Sequence, residues 1–242
     1  MKTDSTYGQV LHLPERLSKP ASRPVARVQK PATLTDLLPS NPFDTAATGF
    51  ALASLNTHKA PVLWVQDRQS RQENGTIYTP GLQAYGLTAP ILHVMVSHPR
   101  DVLWAMEEGA QCAGLSAVIG EIHGAPKVLD FTATKRLAMR AEASGVAVYL
   151  IRSGDPGTLS AARERWRIGA LPSATHPHDA RAPGQARWDA DLFRARGRAP
   201  SRWVASYDPS TQHTQDRLSL VPRPDAGAVE TGDPRIQDRA GG

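Results

Sequence analysis

From residue 44 to residue 152 the chain alternates between two kinds of segment. In one, apolar side chains recur at helical spacing; in the other, short runs are apolar almost throughout. The first kind predicts helices packed along one stripe, the second strands buried on both faces. A helix is expected from Asp44, a good N-cap, through Phe50, Ala51, Leu52 and Leu55 to about Asn56. Pro61-Val62-Leu63-Trp64-Val65-Gln66 then reads as a buried strand, Gln66 to Gly75 as a polar loop, Tyr78 to Gly86 as a brief helix, and Ile91 to Val96 as the next strand. Ser97, Pro99 and Gly114 bracket a helix that places Val102, Leu103, Met106 and Ala110 on one stripe. A strand at 116–121, a helix from about Thr132 to Ser144 and a strand from Val146 to Ile151 complete the series. Strands alternating with helices of this length predict an α/β fold with a parallel sheet and right-handed crossovers.

The pattern changes on either side. Residues 1–30 are polar, hold Pro14, Pro20 and Pro24, and show no sustained period, so a basic, disordered arm is expected, with a short docking segment around Val10 to Leu13. Thr33 to Leu38 reads as a short helix stopped by Pro39 and Pro42. Arg163-Glu164-Arg165-Trp166-Arg167-Ile168 alternates with period two, which puts three arginines on one face and Trp166 with Ile168 on the other. A Pro/His/Ala/Gly loop at 172–186 precedes segments around Trp188 to Arg196, Trp203 to Tyr207 and Arg217 to Val221, which read as a C-terminal group of antiparallel strands. The expected division is therefore an arm at 1–30, a folded domain at 31–222 and a disordered tail at 223–242.

Charge and composition narrow the class. The net charge is +5 with a pI near 9.6, and after Lys135 every basic residue is arginine, a balance that permits contact with nucleic acid or with an acidic partner. The single cysteine, Cys112, excludes an internal disulfide and any zinc cluster of several thiolates; it is expected as a small hydrophobe near a helix end. No apolar h-region follows Met1-Lys2, and no apolar run approaches the ~20 residues of a membrane span, so a cytoplasmic protein without a membrane partner is expected.

Ala117-Val118-Ile119-Gly120-Glu121 ends in an acid as a Walker B strand does, yet no lysine in the chain follows a glycine. A P-loop needs bared backbone N–H groups, a lysine for the β- and γ-phosphates and a hydroxyl for magnesium. Glu121 without such a loop has nothing to organise, and Asp67 reads as a loop acid. His176-Pro177-His178-Asp179 carries metal-capable side chains but no preformed geometry, so no metal site is assigned. Trp166, Trp188 and Trp203, each flanked by arginine, suit either single-stranded nucleic acid or the core of a small sheet, and the alternation at 163–168 favours the core. Arg163, Arg165 and Arg167 are the candidate partner or DNA surface.

The runs Ala47-Thr48-Gly49-Phe50-Ala51-Leu52-Ala53, Val62-Leu63-Trp64-Val65-Gln66, Tyr78-Thr79-Pro80-Gly81-Leu82 and Asp101 to Glu108 resemble the ImuA family, RecA-related proteins of bacterial DNA-damage mutagenesis. Ala117 to Glu121, Leu129 to Leu137 and Arg165-Trp166-Arg167-Ile168 continue the likeness across about residues 33–222. The resemblance implies a RecA-like core, expression in the SOS response, and work in translesion synthesis. The implied partners are a Y-family-like polymerase subunit of the ImuB type, an error-prone replicative-type polymerase and RecA itself. It also places a degenerate P-loop at Asp44, Ala47 and Thr48, with Ala47 where the lysine belongs, and a Walker B-like acid at Glu121. The implied function is a non-catalytic adaptor with no catalytic residue and no cofactor. A divergent NTPase using Glu121 and Asp67, and a RecA-like cell-division inhibitor, are the alternatives.

Overall fold

The computed structural model describes residues 32–55, 60–179, 181–211 and 217–223. The arm and the Val10 to Leu13 segment expected at the N-terminus, and the tail beyond Arg223, lie outside these residues. Among the described residues nine strands form one sheet: β1 (Leu34–Pro39), β2 (Val62–Gln66), β3 (Ile91–Met95), β4 (Ala117–His123), β5 (Ala147–Ser153), β6 (Glu164–Leu171), β7 (Arg187–Ala195), β8 (Ser201–Tyr207) and β9 (Leu218–Pro222). Their order is β3-β2-β4-β5-β1-β6-β7-β8-β9; the first six run parallel and the last four pair antiparallel. The α/β fold with a C-terminal antiparallel group is thus present as expected. Among the described residues no helix is long and apolar enough to cross a membrane.

Two cores follow from strand alternation. Helices α1 (Ala46–Ser54) and α3 (Thr79–Ala84) bury Phe50, Leu52 and Leu82 on one face of the sheet, together with Trp64, Ile119 and Ile151. Helices α4 (Pro99–Ala110) and α5 (Phe131–Ser144) bury Val102, Met106, Leu137 and Ala141 on the other, against Val65, Val118 and Val148. Because both faces of β1, β2, β4 and β5 are covered, these strands are apolar throughout rather than alternating. The α1 core continues under the antiparallel half, where the Phe50 ring lies 5.5 Å from Trp166 and 6.1 Å from Trp188. Gly49 makes this approach possible, since a Cβ there would stand 2.8 Å from the Tyr85 hydroxyl and 3.1 Å from the Trp188 ring. Trp166 and Trp188 are therefore core residues.

The structure corrects several sequence expectations about the fold. Thr33 to Leu38 is not a helix: Leu34–Pro39 is β1, inserted between β5 and β6. A six-residue helix is marginal in isolation, whereas here neighbours on both sides supply the backbone hydrogen bonds, with Leu34 facing one core and Leu37 the other. Gln66 to Gly75 is not a loop throughout, because α2 (Arg68–Asn74) forms within it. Asp67 caps α2 by accepting from the Ser70 N–H at 2.6 Å, and Gly75 ends it at φ 81°. Only Ser70 of this helix is buried, so no apolar stripe announced it. Cys112 follows α4 but is exposed, not packed as a hydrophobe.

A further correction concerns Arg165, expected on a solvent face with Arg163 and Arg167. Its side chain is buried, and its Nε donates to Asp36 Oδ2 at 3.1 Å. Arg152, fully buried on β5, donates to the same oxygen at 2.8 Å and also pairs with Asp155. Asp36 is itself fully buried, so one carboxylate of β1 neutralises guanidinium groups from the strands on either side. Removing one partner of such a cluster strands the other charges, at a cost of about 3–5 kcal/mol. Asp36→Ala is accordingly expected to lower the urea midpoint by that equivalent, whereas Arg163→Ala, which breaks only the half-exposed pair with Glu142, should cost less than about 1 kcal/mol.

Candidate functional site

In parallel α/β sheets ligands bind beyond the carboxyl ends of the strands. At that edge Ser40 to Thr45 connects β1 to α1. The connection contains no glycine, and no described non-glycine residue has positive φ. Its shape is set instead by side chains. Asn41 Oδ1 accepts from the Phe43 N–H at 3.2 Å, and Asp44 Oδ1 accepts from the Ala46 N–H at 2.8 Å. Asp44 Oδ2 reaches across to β6, accepting from the Ala170 N–H at 3.0 Å. Asp44 is therefore not the N-cap residue itself; Thr45 holds that position, and Asp44 lends its carboxylate to the first turn.

The N-terminus of a helix is where backbone N–H groups and the helix dipole favour an anion. Here the chain supplies that anion. Ala47 is fully buried one residue further on, and Thr48 lines a cavity of about 120 Å³ between α1, the tips of β2 and β4, and residues 74–78. Glu121 lines the same cavity, so Thr48 and Glu121, which the ImuA-like motifs set in P-loop and Walker B-like positions, share one lining. No lysine or arginine is among the lining residues. The volume lies below the ~300 Å³ at which small-molecule pockets usually begin.

Glu121 is clamped. Its Oε1 accepts from the Trp64 indole N–H at 2.7 Å and its Oε2 from the Gln66 amide at 3.0 Å. The Gln66 amide also donates to the Gly75 carbonyl at 3.2 Å, and its Oε1 lies 2.9 Å from His93 Nε2. The chain Trp64–Glu121–Gln66–His93 thus ties β2, β3 and β4 together along one face. Burial pushes the Glu121 carboxyl up to about 7, against the lowering effect of its two hydrogen bonds and with a further push from Asp67. Burial, with Arg71 nearby, lowers the His93 imidazole. Trp64, Gln66 and His93 were not singled out in the sequence, although strand alternation puts Trp64 and Gln66 on one face of β2, and parallel pairing sets Gln66 beside Glu121.

The remaining candidates lie elsewhere. Asp67 is a buried helix cap rather than a loop acid at the cavity. Arg163 pairs with Glu142, Arg165 is buried with Asp36, and Arg167 is exposed 3.9 Å from Asp191, so the three arginines form no common surface. The His176 Nδ1 accepts from the N–H groups of His178 and Asp179 at 3.3 and 3.1 Å, which makes the segment a turn. Among the described residues no three His, Cys, Asp or Glu side chains group as metal ligands. No family model matches this chain, and no curated protein matches it.

The buried acid predicts a pH dependence of defined sign. Folding takes up a proton at Glu121 between the ordinary value of 4.5 and about 7. Its contribution to stability is full below 4.5 and is lost as pH rises through 7, by about 3 kcal/mol. Glu121→Gln is expected to flatten this part of the profile, while leaving its amide facing that of Gln66 at a cost of about 1–3 kcal/mol at every pH. Urea midpoints of both proteins on either side of this window check the slope.

Proposed function

We propose that this chain is a non-catalytic, RecA-like adaptor of an error-prone polymerase complex assembled after DNA damage. The observation that carries the non-catalytic part is the Asp44 carboxylate, held on the N–H groups of Ala46 and Ala170 at the helix terminus where a P-loop would receive phosphate. A nucleotide phosphate brought there meets a fixed negative charge and no lysine. Glu121, the acid in the Walker B position, is buried and engaged through both oxygens, leaving it poorly disposed to hold a hydrated magnesium ion. The ImuA-like motifs support the biological setting: a Y-family-like subunit and an error-prone replicative-type polymerase as partners.

Three experiments separate this reading from a divergent NTPase and from a division inhibitor. A nucleotide at a hundredfold its Kd stabilises a protein by about 2.7 kcal/mol, which is several degrees in Tm for a domain of this size. No such shift is expected with ATP and magnesium; a reproducible one would favour the NTPase. Affinity capture of the tagged protein from cells with and without DNA damage is expected to recover the two polymerase components. Recovery of neither, with bait folded and both expressed, would sink the adaptor reading, and filamentous growth on overexpression without damage would favour the division inhibitor.

A further inference from the structure

Charge is divided between the two halves of the sheet. Among the described residues, 163–223 hold eleven arginines, no lysine and five carboxylates, whereas 32–162 hold eight basic and eleven acidic side chains. The antiparallel half is net positive and the parallel half net negative, and a basic stripe confined to one part of a fold is the electrostatic footprint of a polyanion site.

Among the described residues, that half also has an open face. Helices α4 and α5 cover one side of β1, β2, β4 and β5, and the core they form takes no side chain from β6 to β9. Trp166, Ile168, Trp188, Ala190, Leu192 and Ala205 point the other way, into the α1 core. Strand alternation therefore presents Arg167 on β6, Arg187 on β7, Arg202 and Val204 on β8 and Val221 on β9 to the uncovered side. The same alternation puts Phe193 on this side, its ring centroid 5.1 Å from the Arg165 guanidinium and 5.0 Å from that of Arg167, and the register shift between Arg165 and Trp166 sets Arg194 opposite Arg165, on this side as well.

Acids on this face do not cancel its charge. Asp189 is shared by Arg202 at 2.8 Å and Arg223 at 3.2 Å, and Asp191 lies 3.9 Å from Arg167. Arg187, and Arg194 at the end of β7, make no ion pair among the described residues.

We propose that the open face of β6–β9 binds single-stranded nucleic acid, with the arginines on phosphates and Phe193, Val204 and Val221 beneath the bases. Guanidinium groups suit phosphate in particular. Apolar side chains interleaved with them are matched by the exposed bases of a single strand, whereas a duplex buries its bases and offers this face phosphates alone. An acidic protein surface would engage the charges and leave the apolar positions unused. The inference rests on this face and does not depend on the adaptor reading.

Fluorescence anisotropy of a labelled oligothymidylate, titrated with the full chain across a range of salt, tests it. Each phosphate contact contributes about 0.7 to the slope of log K against log salt, so losing two lowers affinity about 25-fold at ~0.1 M salt and flattens the slope by about 1.4. Arg187→Gln with Arg194→Gln is expected to do this without lowering the melting midpoint, since neither residue is ion-paired among the described residues. Arg100→Gln with Arg136→Gln, on the α4–α5 face, should change neither affinity nor slope. Unchanged binding by the first pair, equal competition from a duplex of the same length, or binding of polyglutamate in place of the oligonucleotide would each overturn the proposal.

Discussion

Asp36 sits in the middle of β1 with no access to water, and its carboxylate receives guanidinium groups from β5 and β6, the strands on either side. Taking these charges out of water is costly unless each finds its partner in place. A slip of β1 by one residue would turn Asp36 to the α1 face and leave Arg152 and Arg165 buried without it. One strand position thus ties the register of three strands, at the junction where the parallel half of the sheet meets the antiparallel half. The alignment of the β1–α1 connection with β6, and so the reach of Asp44 to the Ala170 N–H, depends on that register.

The carboxyl edge of the sheet is occupied by the protein's own groups. Asp44 supplies the anion at the start of α1, and Trp64 and Gln66 supply the donors for Glu121. The first turn of α1 and the Glu121 carboxylate thus both find their partners within the chain. The raised Glu121 carboxyl is the residual cost: two hydrogen bonds do not offset the loss of water around a charge.

The antiparallel half has the opposite character. Its inner face is aromatic and closed by Phe50, Trp166 and Trp188, while its outer face carries arginines with few acids to hold them. Arg198 marks the boundary, its guanidinium 5.2 Å from the Trp166 ring and 5.6 Å from that of Trp203 while it pairs with Glu164. Arginine therefore serves three ends in this half: buried counter-ion at 165, aromatic clasp at 198 and solvent-facing cation at 167, 187 and 202.

The alternation of β2 through β5 with α3, α4 and α5 was legible in the sequence because it rests on local periodicity, which each segment carries by itself. The pairing of Thr48 with Glu121 was implied by the ImuA-like motifs and not by periodicity, and the cavity that they share is a tertiary feature. What the tertiary structure alone decided lies where a residue's state depends on distant partners. Leu34–Pro39 became a strand because β5 and β6 satisfy it on both sides, and α2 formed on an Asp67 cap without an apolar stripe. Arg165 shares sequence alternation with Arg163 and Arg167, yet it is buried because Asp36, 129 positions away in the chain, waits beside it. Periodicity reports which side of a strand a residue takes; whether that side meets water or a counter-charge is fixed only when the neighbouring strand arrives.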